Sequence, residues 1–265
     1  MIYKYYSGNE YSIDSLKNQK LWFSKPNEFN DPFDTNMGII DVFSDFKDSI
    51  SQKNPEFIKD FQEAVKNFGI CCFSEEEDNM HLWALYANSF QGFVLFFDES
   101  DFDDYFSNLF LAKCVLQPVN YLEEPLNLDN GIIEEIQYDD DGSTNGIISK
   151  PIASFLYDIK SFDFLLEFLI KQKQATTWSI EKEKRLIITH LARVNGAKKF
   201  EKASGYYVPW KPNSLKKIVI GHRMKPREID VIREIIQNID INIELLQTDL
   251  NFSNWKIICK PILTK

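Results

Sequence analysis

An α+β domain, built on a bent or split, mostly antiparallel sheet with surrounding helices, is the fold that this sequence predicts. Three observations lead to it. Short β-prone apolar runs are scattered along the whole length of the chain. The helical stretches between them do not alternate one for one with strands, as a wound βαβ sheet requires. The 22 phenylalanines among 265 residues, within a hydrophobic fraction of 44%, supply apolar area for one core. Residues 1–265 are therefore read as a single domain.

The elements follow in order. Ile2–Tyr6 alternates and is β-prone, Tyr11–Asn18 has helical spacing, and Leu21–Ser24 reads as a strand. The loop Lys25–Asp34 ends in an Asp-Pro turn signal. Between 43 and 67, Phe43, Phe46, Ile50, Phe57, Phe61 and Val65 recur at helical spacing, and Pro55 divides them into two helices. Gly69–Ser74 is a strand that enters the acidic loop Glu75–Asp78; Met80–Asn88 is helical, and Gly92–Asp98 is a buried strand. Asp98–Asp104 opens a short helix, and Ala112–Tyr121 is a strand interrupted by proline. Residues 123–149 are acidic and rich in Gly and Asn, the pattern of a mobile surface insertion. Ser154–Gln172 is an amphipathic helix, Arg185–Thr189 and Leu215–Ile220 are strands, and Pro226–Gln237 is a helix. Ile241–Gln247 and Trp255–Cys259 are the final strands.

Net charge is −10, which argues against coating of nucleic acid by the whole surface. Residues 171–228 nevertheless hold fifteen Lys/Arg against four Asp/Glu, a local balance of +11. That segment is either an anion site or a basic surface packed beside the chain's own acidic loops. The four cysteines, Cys71, Cys72, Cys114 and Cys259, lack zinc spacing and read as reduced core thiols. No apolar run is long enough for a transmembrane helix and the N-terminus has no signal-peptide core, so a cytoplasmic protein with no membrane partner is expected. His81, His190 and His222 form no metal-binding pattern, and no metal site is expected.

Four segments carry chemistry. In Asn30-Asp31-Pro32-Phe33-Asp34, proline fixes the backbone among three polar groups. This is either an Asx-type turn or a rigid loop that presents Asn30, Asp31 and Asp34 to a ligand. Ser74 ends a strand, and Trp83 and Tyr86 lie three apart on one helix face, where they either pack together or stack on a ligand ring. In Trp178-Ser-Ile-Glu181-Lys-Glu183-Lys-Arg185, a strand that begins early places Glu181, Glu183 and Arg185 on one face and Lys182 and Lys184 on the other. Two carboxylates and a guanidinium in that register suit a reaction site. Gly221-His222-Arg223-Met-Lys225-Pro226 joins a strand to a helix N-terminus, a weak anion signal without a nucleotide-binding fingerprint.

Together these segments resemble the bacterial DUF2971 family over nearly the whole chain. The resemblance rests on Tyr3-Lys-Tyr, Leu21-Trp-Phe-Ser-Lys-Pro-Asn-Glu-Phe-Asn-Asp-Pro-Phe-Asp34, Cys72-Phe-Ser74, Leu82-Trp-Ala-Leu-Tyr86-Ala, Gly92 and Trp178-x-x-Glu181-x-Glu183-x-Arg185, with Ile218-Val-Ile-Gly221 near the end. The opening strand, helix and strand also resemble the start of ADP-ribosyltransferase-type domains, which split NAD between two small sheets. That second resemblance implies NAD as substrate. Lys4 or Tyr5 stands in the first strand, Ser74 and Tyr86 follow, and Glu181 or Glu183 opens a later strand. An aromatic residue such as Trp83, Tyr86 or Trp178 would hold the nicotinamide, and Arg185 would neutralise the pyrophosphate.

Three functions follow as expectations. The first is an NAD-consuming transferase or glycohydrolase, acting as a toxin or phage-defence effector on a nucleic-acid or protein acceptor. The second is a Mg²⁺-dependent nuclease that uses Asp31, Asp34, Glu181 and Glu183, with Lys182 or Lys184 at the phosphate. The third is a non-catalytic module that binds a nucleotide or protein. Residues 30–34 and 178–185 are expected to share one cleft with Trp83 or Tyr86 on its wall. Glu183→Gln is expected to abolish activity without disturbing the fold.

Overall fold

β-branched and aromatic residues dominate the strands at the centre of the molecule, and hydrogen bonding in register brings distant ones together. The computed structural model describes residues 1–35, 68–100, 114–125, 132–138, 144–151, 170–188, 198–199, 206–239 and 243–262, with a few single positions between them. The chain divides into two compact units, one of Met1–Lys25, Phe68–Val119 and Thr177–Lys265, the other of Pro26–Asn67 and Asn120–Thr176.

The first unit opens with β1 (Ile2–Tyr6), α1 (Glu10–Lys17) and β2 (Lys20–Phe23). Asn9 caps α1 by accepting the Ser12 N–H at 2.9 Å. β3 (Gly69–Ser74), α2 (Met80–Leu85), β4 (Phe93–Phe97) and β5 (Cys114–Pro118) follow. After Thr177 the unit continues with β10 (Glu183–Ile188), β11 (Lys198–Lys199), β12 (Tyr206–Pro209), β13 (Leu215–Ile220) and α3 (Pro226–Asn238). β14 (Glu244–Asn251) and β15 (Lys256–Pro261) complete it.

Eight strands form one sheet in the order β15-β14-β13-β4-β1-β3-β10-β5. All its pairs are antiparallel except β13–β14, which α3 connects as a parallel crossover. The sheet is thus mixed and mostly antiparallel, as expected. One face buries Ile2, Phe73, Phe93, Leu95, Phe97, Leu186 and Ile218 beneath α1, α3 and the small β11-β12-β2 sheet, which supply Leu16, Ile232, Leu21 and Val208. The other face buries Trp83, Ala87, Phe90, Val94, Phe96 and Val219. No helix among the described residues is long and apolar enough to cross a membrane.

Two glycines permit close packing around the turn that joins α2 to β4. Asn88, Ser89 and Phe90 are consecutive left-handed residues, at φ 47°, 52° and 68°. This turn brings the Phe90 ring parallel to Trp83, with centroids 5.1 Å apart. A Cβ on Gly92 would stand 1.9 Å from the Tyr6 carbonyl oxygen, and one on Gly221 2.0 Å from that of Phe90. The obstacles are backbone atoms, so neither can swing aside.

In the second unit, β6 (Asn120–Leu122) pairs in parallel with β9 (Gln172–Gln174). β7 (Ile132–Tyr138) pairs antiparallel with β8 (Thr144–Pro151), placing Ile136 opposite Ile147. Strand pairing therefore runs through the stretch whose composition suggests an acidic insertion. The acidic and Gly/Asn residues of that stretch mask the β-branched isoleucines that pair within it. The single strand expected over Ala112–Tyr121 divides at Pro118, where β5 ends, and β6 resumes in a different sheet. The helix expected over Ser154–Gln172 and most of those expected over 43–67 and Asp98–Asp104 lie outside the described residues.

The glycine contacts yield a prediction. Gly92→Ala should lower the unfolding free energy by about 3 kcal/mol, the scale of a substitution that forces backbone apart in a packed core. Urea unfolding followed by circular dichroism measures it, and a loss below about 0.5 kcal/mol would mean that the Tyr6 carbonyl is not where the structure has it.

Candidate active site

β10 lies antiparallel to β3, with Glu183 opposite Ser74 and Arg185 opposite Cys72. The period-two alternation of the strand places Glu183 and Arg185 on one face, as the sequence implies. Arg185 Nε donates to Glu183 Oε1 at 2.8 Å and Nη2 donates to Oε2 at 3.2 Å. Arg185 is fully buried and Glu183 is 5% exposed. Two charges so far from water persist because a two-pronged, charge-assisted contact offsets much of their desolvation. The Cys72 thiol sits beside this pair. Burial first, and then the Glu183 carboxylate, push its pKa well above the ordinary thiol value.

Glu181 departs from the expected arrangement. It does not continue the strand; it ends a 3-10 turn, Ser179–Glu181. Lys182 follows in the left-handed region at φ 44°, which breaks the two-residue register between the acids. Glu181 is buried nonetheless, and its Oε1 accepts the Tyr86 hydroxyl at 2.6 Å. The turn is tied to the neighbouring strand and helix through its backbone. Ser74 Oγ donates to the Glu181 carbonyl at 2.8 Å, and the Glu75 N–H donates to the Lys182 carbonyl at 2.9 Å.

Asn79 is the residue that sequence reasoning missed. Its side-chain oxygen caps α2, accepting the N–H groups of His81 and Leu82 at 3.0 and 3.2 Å. Its amide nitrogen donates to the Ile180 carbonyl. One side chain therefore joins the helix that leads to Tyr86 to the turn that carries Glu181. An Asn before an apolar helix is a legible cap; its second bond, to a residue 101 positions away, is not.

Other expected contributors take different roles. Lys4 lies on the opposite face of β1 from Tyr5 and thus from Glu183. Its ammonium donates to the Cys72 carbonyl at 2.9 Å and lies 5.5 Å from the centre of the Phe73 ring. Tyr5 shares the face of the acids, but its hydroxyl donates to the carbonyls of Glu76 and Glu77 at 2.9 and 3.1 Å, where it anchors the acidic loop. Burial pushes its pKa up. Trp83 is 1% exposed between Phe90 and Tyr5, so it is a core residue and not a ligand wall. Its indole N–H is buried with no hydrogen-bond partner among the described residues. Arg185 is likewise too deep to meet a pyrophosphate. Tyr86 and Trp178 are half-buried, and Trp178 directly precedes the Glu181 turn.

Some cations of the basic segment are matched by the chain's own acids. Lys184 lies 2.9 Å from Glu75 and 2.8 Å from Glu99, and Lys217 lies 3.0 Å from Glu77. In the second unit, residues 30–34 form a turn of their own. Asp31 Oδ1 accepts the Phe33 N–H at 2.9 Å, which is the Asx-type contact. Asp34 lies 3.6 Å from the buried Lys173 ammonium, while Asn30 is exposed. Among the described residues no three His, Cys, Asp or Glu side chains gather as metal ligands. An open depression of about 400 Å³ lies between α1 and α3 against Gly8, Ile13 and Val231, and none of the site residues lines it.

No family model, curated protein or solved structure matches the chain.

The two acids should respond differently to neutralisation. Glu183→Gln leaves the Arg185 charge buried without its carboxylate and should cost about 3 kcal/mol, against the expectation from sequence that it spares the fold. Glu181→Gln retains an oxygen for the Tyr86 hydroxyl and should cost less than about 1 kcal/mol. Equal losses in urea unfolding would contradict the pairing of Arg185 with Glu183.

Proposed function

We propose that this chain cleaves the N-glycosidic bond of NAD, as a glycohydrolase or ADP-ribosyltransferase-like enzyme, and that Glu181 is its catalytic carboxylate. The reading rests on one observation: a buried carboxylate held by the Tyr86 hydroxyl at 2.6 Å, beside the Ser74–Glu183 end of the β3–β10 pair. Glu183 is less suited to the role, because both its oxygens are engaged by Arg185.

In this reaction the bond from C1′ of the ribose to the nicotinamide nitrogen breaks, and the electron pair leaves with nicotinamide. Positive charge develops on the sugar as an oxocarbenium-like species. The Glu181 carboxylate stabilises that charge and accepts a hydrogen bond from a ribose hydroxyl. Tyr86 fixes the carboxylate's rotamer, so little reorganisation is needed when charge appears. The half-buried rings of Tyr86 and Trp178 offer faces for nicotinamide, and the exposed Lys182 between the two acids supplies a cation for the phosphates. Water or an acceptor nucleophile then adds at C1′ and releases its proton to solvent.

Purified protein incubated with NAD should release nicotinamide, measured by chromatography. Glu181→Gln should lower the rate by about 100-fold or more while the circular dichroism spectrum stays unchanged. Release by Glu181→Gln at the parental rate would remove that residue from the chemistry, and no release by the parent would overturn the reading.

A further inference from the structure

β13 and β14 run side by side only as far as Ile220 opposite Gln247. Beyond that point β14 continues through Thr248 to Asn251, paired with β15 from Cys259 back to Lys256. Four residues at about 3.3 Å each carry this two-stranded finger roughly 13 Å past the end of β13. Its turn is Phe252-Ser253-Asn254-Trp255. Phe252 is 80% and Trp255 89% exposed. Asn251 Oδ1 accepts both the N–H and the hydroxyl of Ser253, which stiffens the turn.

Trp255 sits at φ 57°, a left-handed position where Gly or Asn is the usual residue. A bulky side chain there strains the backbone and gains no burial in return, so folding supplies no reason for it. Cations stand at both ends of the finger: Lys256 is exposed at its tip, next to Trp255, and Arg223 and Lys225 are exposed on the loop after β13, at its foot. That loop is tied to β14 by the His222 N–H, which donates to Thr248 Oγ1 at 2.8 Å. Of the nearby acids, Asp249 is bonded to Lys260, and Glu228 lies 3.9 Å from Lys225.

We infer that this finger binds single-stranded nucleic acid, stacking unpaired bases on Trp255 and Phe252 while Lys256, Arg223 and Lys225 contact phosphates. Flat exposed rings beside cations are what sequence-tolerant strand binding requires. A duplex withholds its base faces from such rings. A bilayer fits less well, because Ser253 and Asn254 stand between the aromatics and would lose their hydration on insertion; base edges offer them hydrogen-bond partners instead. With a net charge of −10 on the whole chain, the proposed binding is local and does not extend over the whole surface. The inference does not depend on the NAD reading, since it is tested without NAD.

The full chain is titrated against fluorescein-labelled oligo-dT and oligo-U of about twenty residues, and anisotropy is read at low and at physiological salt. The parent should bind, more weakly as salt rises. Trp255→Gly should bind at least about tenfold more weakly, the loss of one stacked base, while its Tm stays equal or rises because the left-handed strain is relieved. Phe252→Ser serves as a second variant should the first unfold, and Lys256→Glu should weaken binding and flatten the salt dependence. Three results would overturn the inference. They are no binding by the parent at about 100 µM, the weak end of nonspecific affinity, parental affinity in the aromatic variants, or capture by phosphatidylserine vesicles without capture of either oligonucleotide.

Discussion

The pairing of β10 with β3 is the constraint on which the site depends. Its register, from Glu183 opposite Ser74 to Ile188 opposite Gly69, joins segments more than a hundred residues apart. A shift of one residue would carry Glu183 and Arg185 to the face of the apolar core and turn Leu186 and Ile188 away from it. The register is thus enforced by burial on both sides, not by the polar groups themselves. Ser74, at the end of β3, then falls beside the turn that carries Glu181, and its hydroxyl holds that turn through the Glu181 carbonyl. The polar groups of the candidate site are guests of a strand pair whose buried apolar residues include Ile70, Cys71, Leu186 and Ile188.

Within that frame the two acids divide their roles by local geometry. Glu183 is inside the strand and shares it with Arg185 two positions on, so each answers the other's buried charge. Glu181 lies across a left-handed residue from the strand and meets a neutral hydroxyl. The proposed chemistry falls to Glu181 because the Tyr86 hydroxyl fixes one of its carboxylate oxygens, whereas both oxygens of Glu183 are bonded to Arg185. The acidic loop Glu75–Asp78 completes the arrangement, held by Tyr5 from within the sheet and by Lys184 and Lys217.

Much of this was legible in the sequence, and the exceptions share a cause. β1, α1, β3, β4, β13 and α3 follow from periodicity, because each buries an apolar face that its spacing advertises. The common face of Glu183 and Arg185 follows from the same alternation. Periodicity fails at Lys182, since a single left-handed residue leaves no mark in a pattern of charged residues. It also fails to separate Trp83 from Tyr86: three apart on one helix, the first is enclosed by Phe90 and Tyr5, and the second reaches Glu181. Which ring is enclosed depends on the left-handed turn at 88–90, which Asn88 favours but Ser89 and Phe90 do not. The charge balance of the 171–228 segment is plain in the sequence, but the partners of its Lys184 and Lys217, Glu75, Glu77 and Glu99, lie far from it along the chain. The β7–β8 pair is obscured by acidic composition.

A double-mutant cycle on nicotinamide release from NAD, comparing the parent with Tyr86→Phe, Glu181→Gln and the combination of both, tests the central claim most directly. If Tyr86 acts by holding the Glu181 carboxylate, removing the hydroxyl slows the parent but has almost no effect once the charge of Glu181 is gone. Losses that simply multiply in the double mutant, or a parent that releases no nicotinamide, would contradict the account.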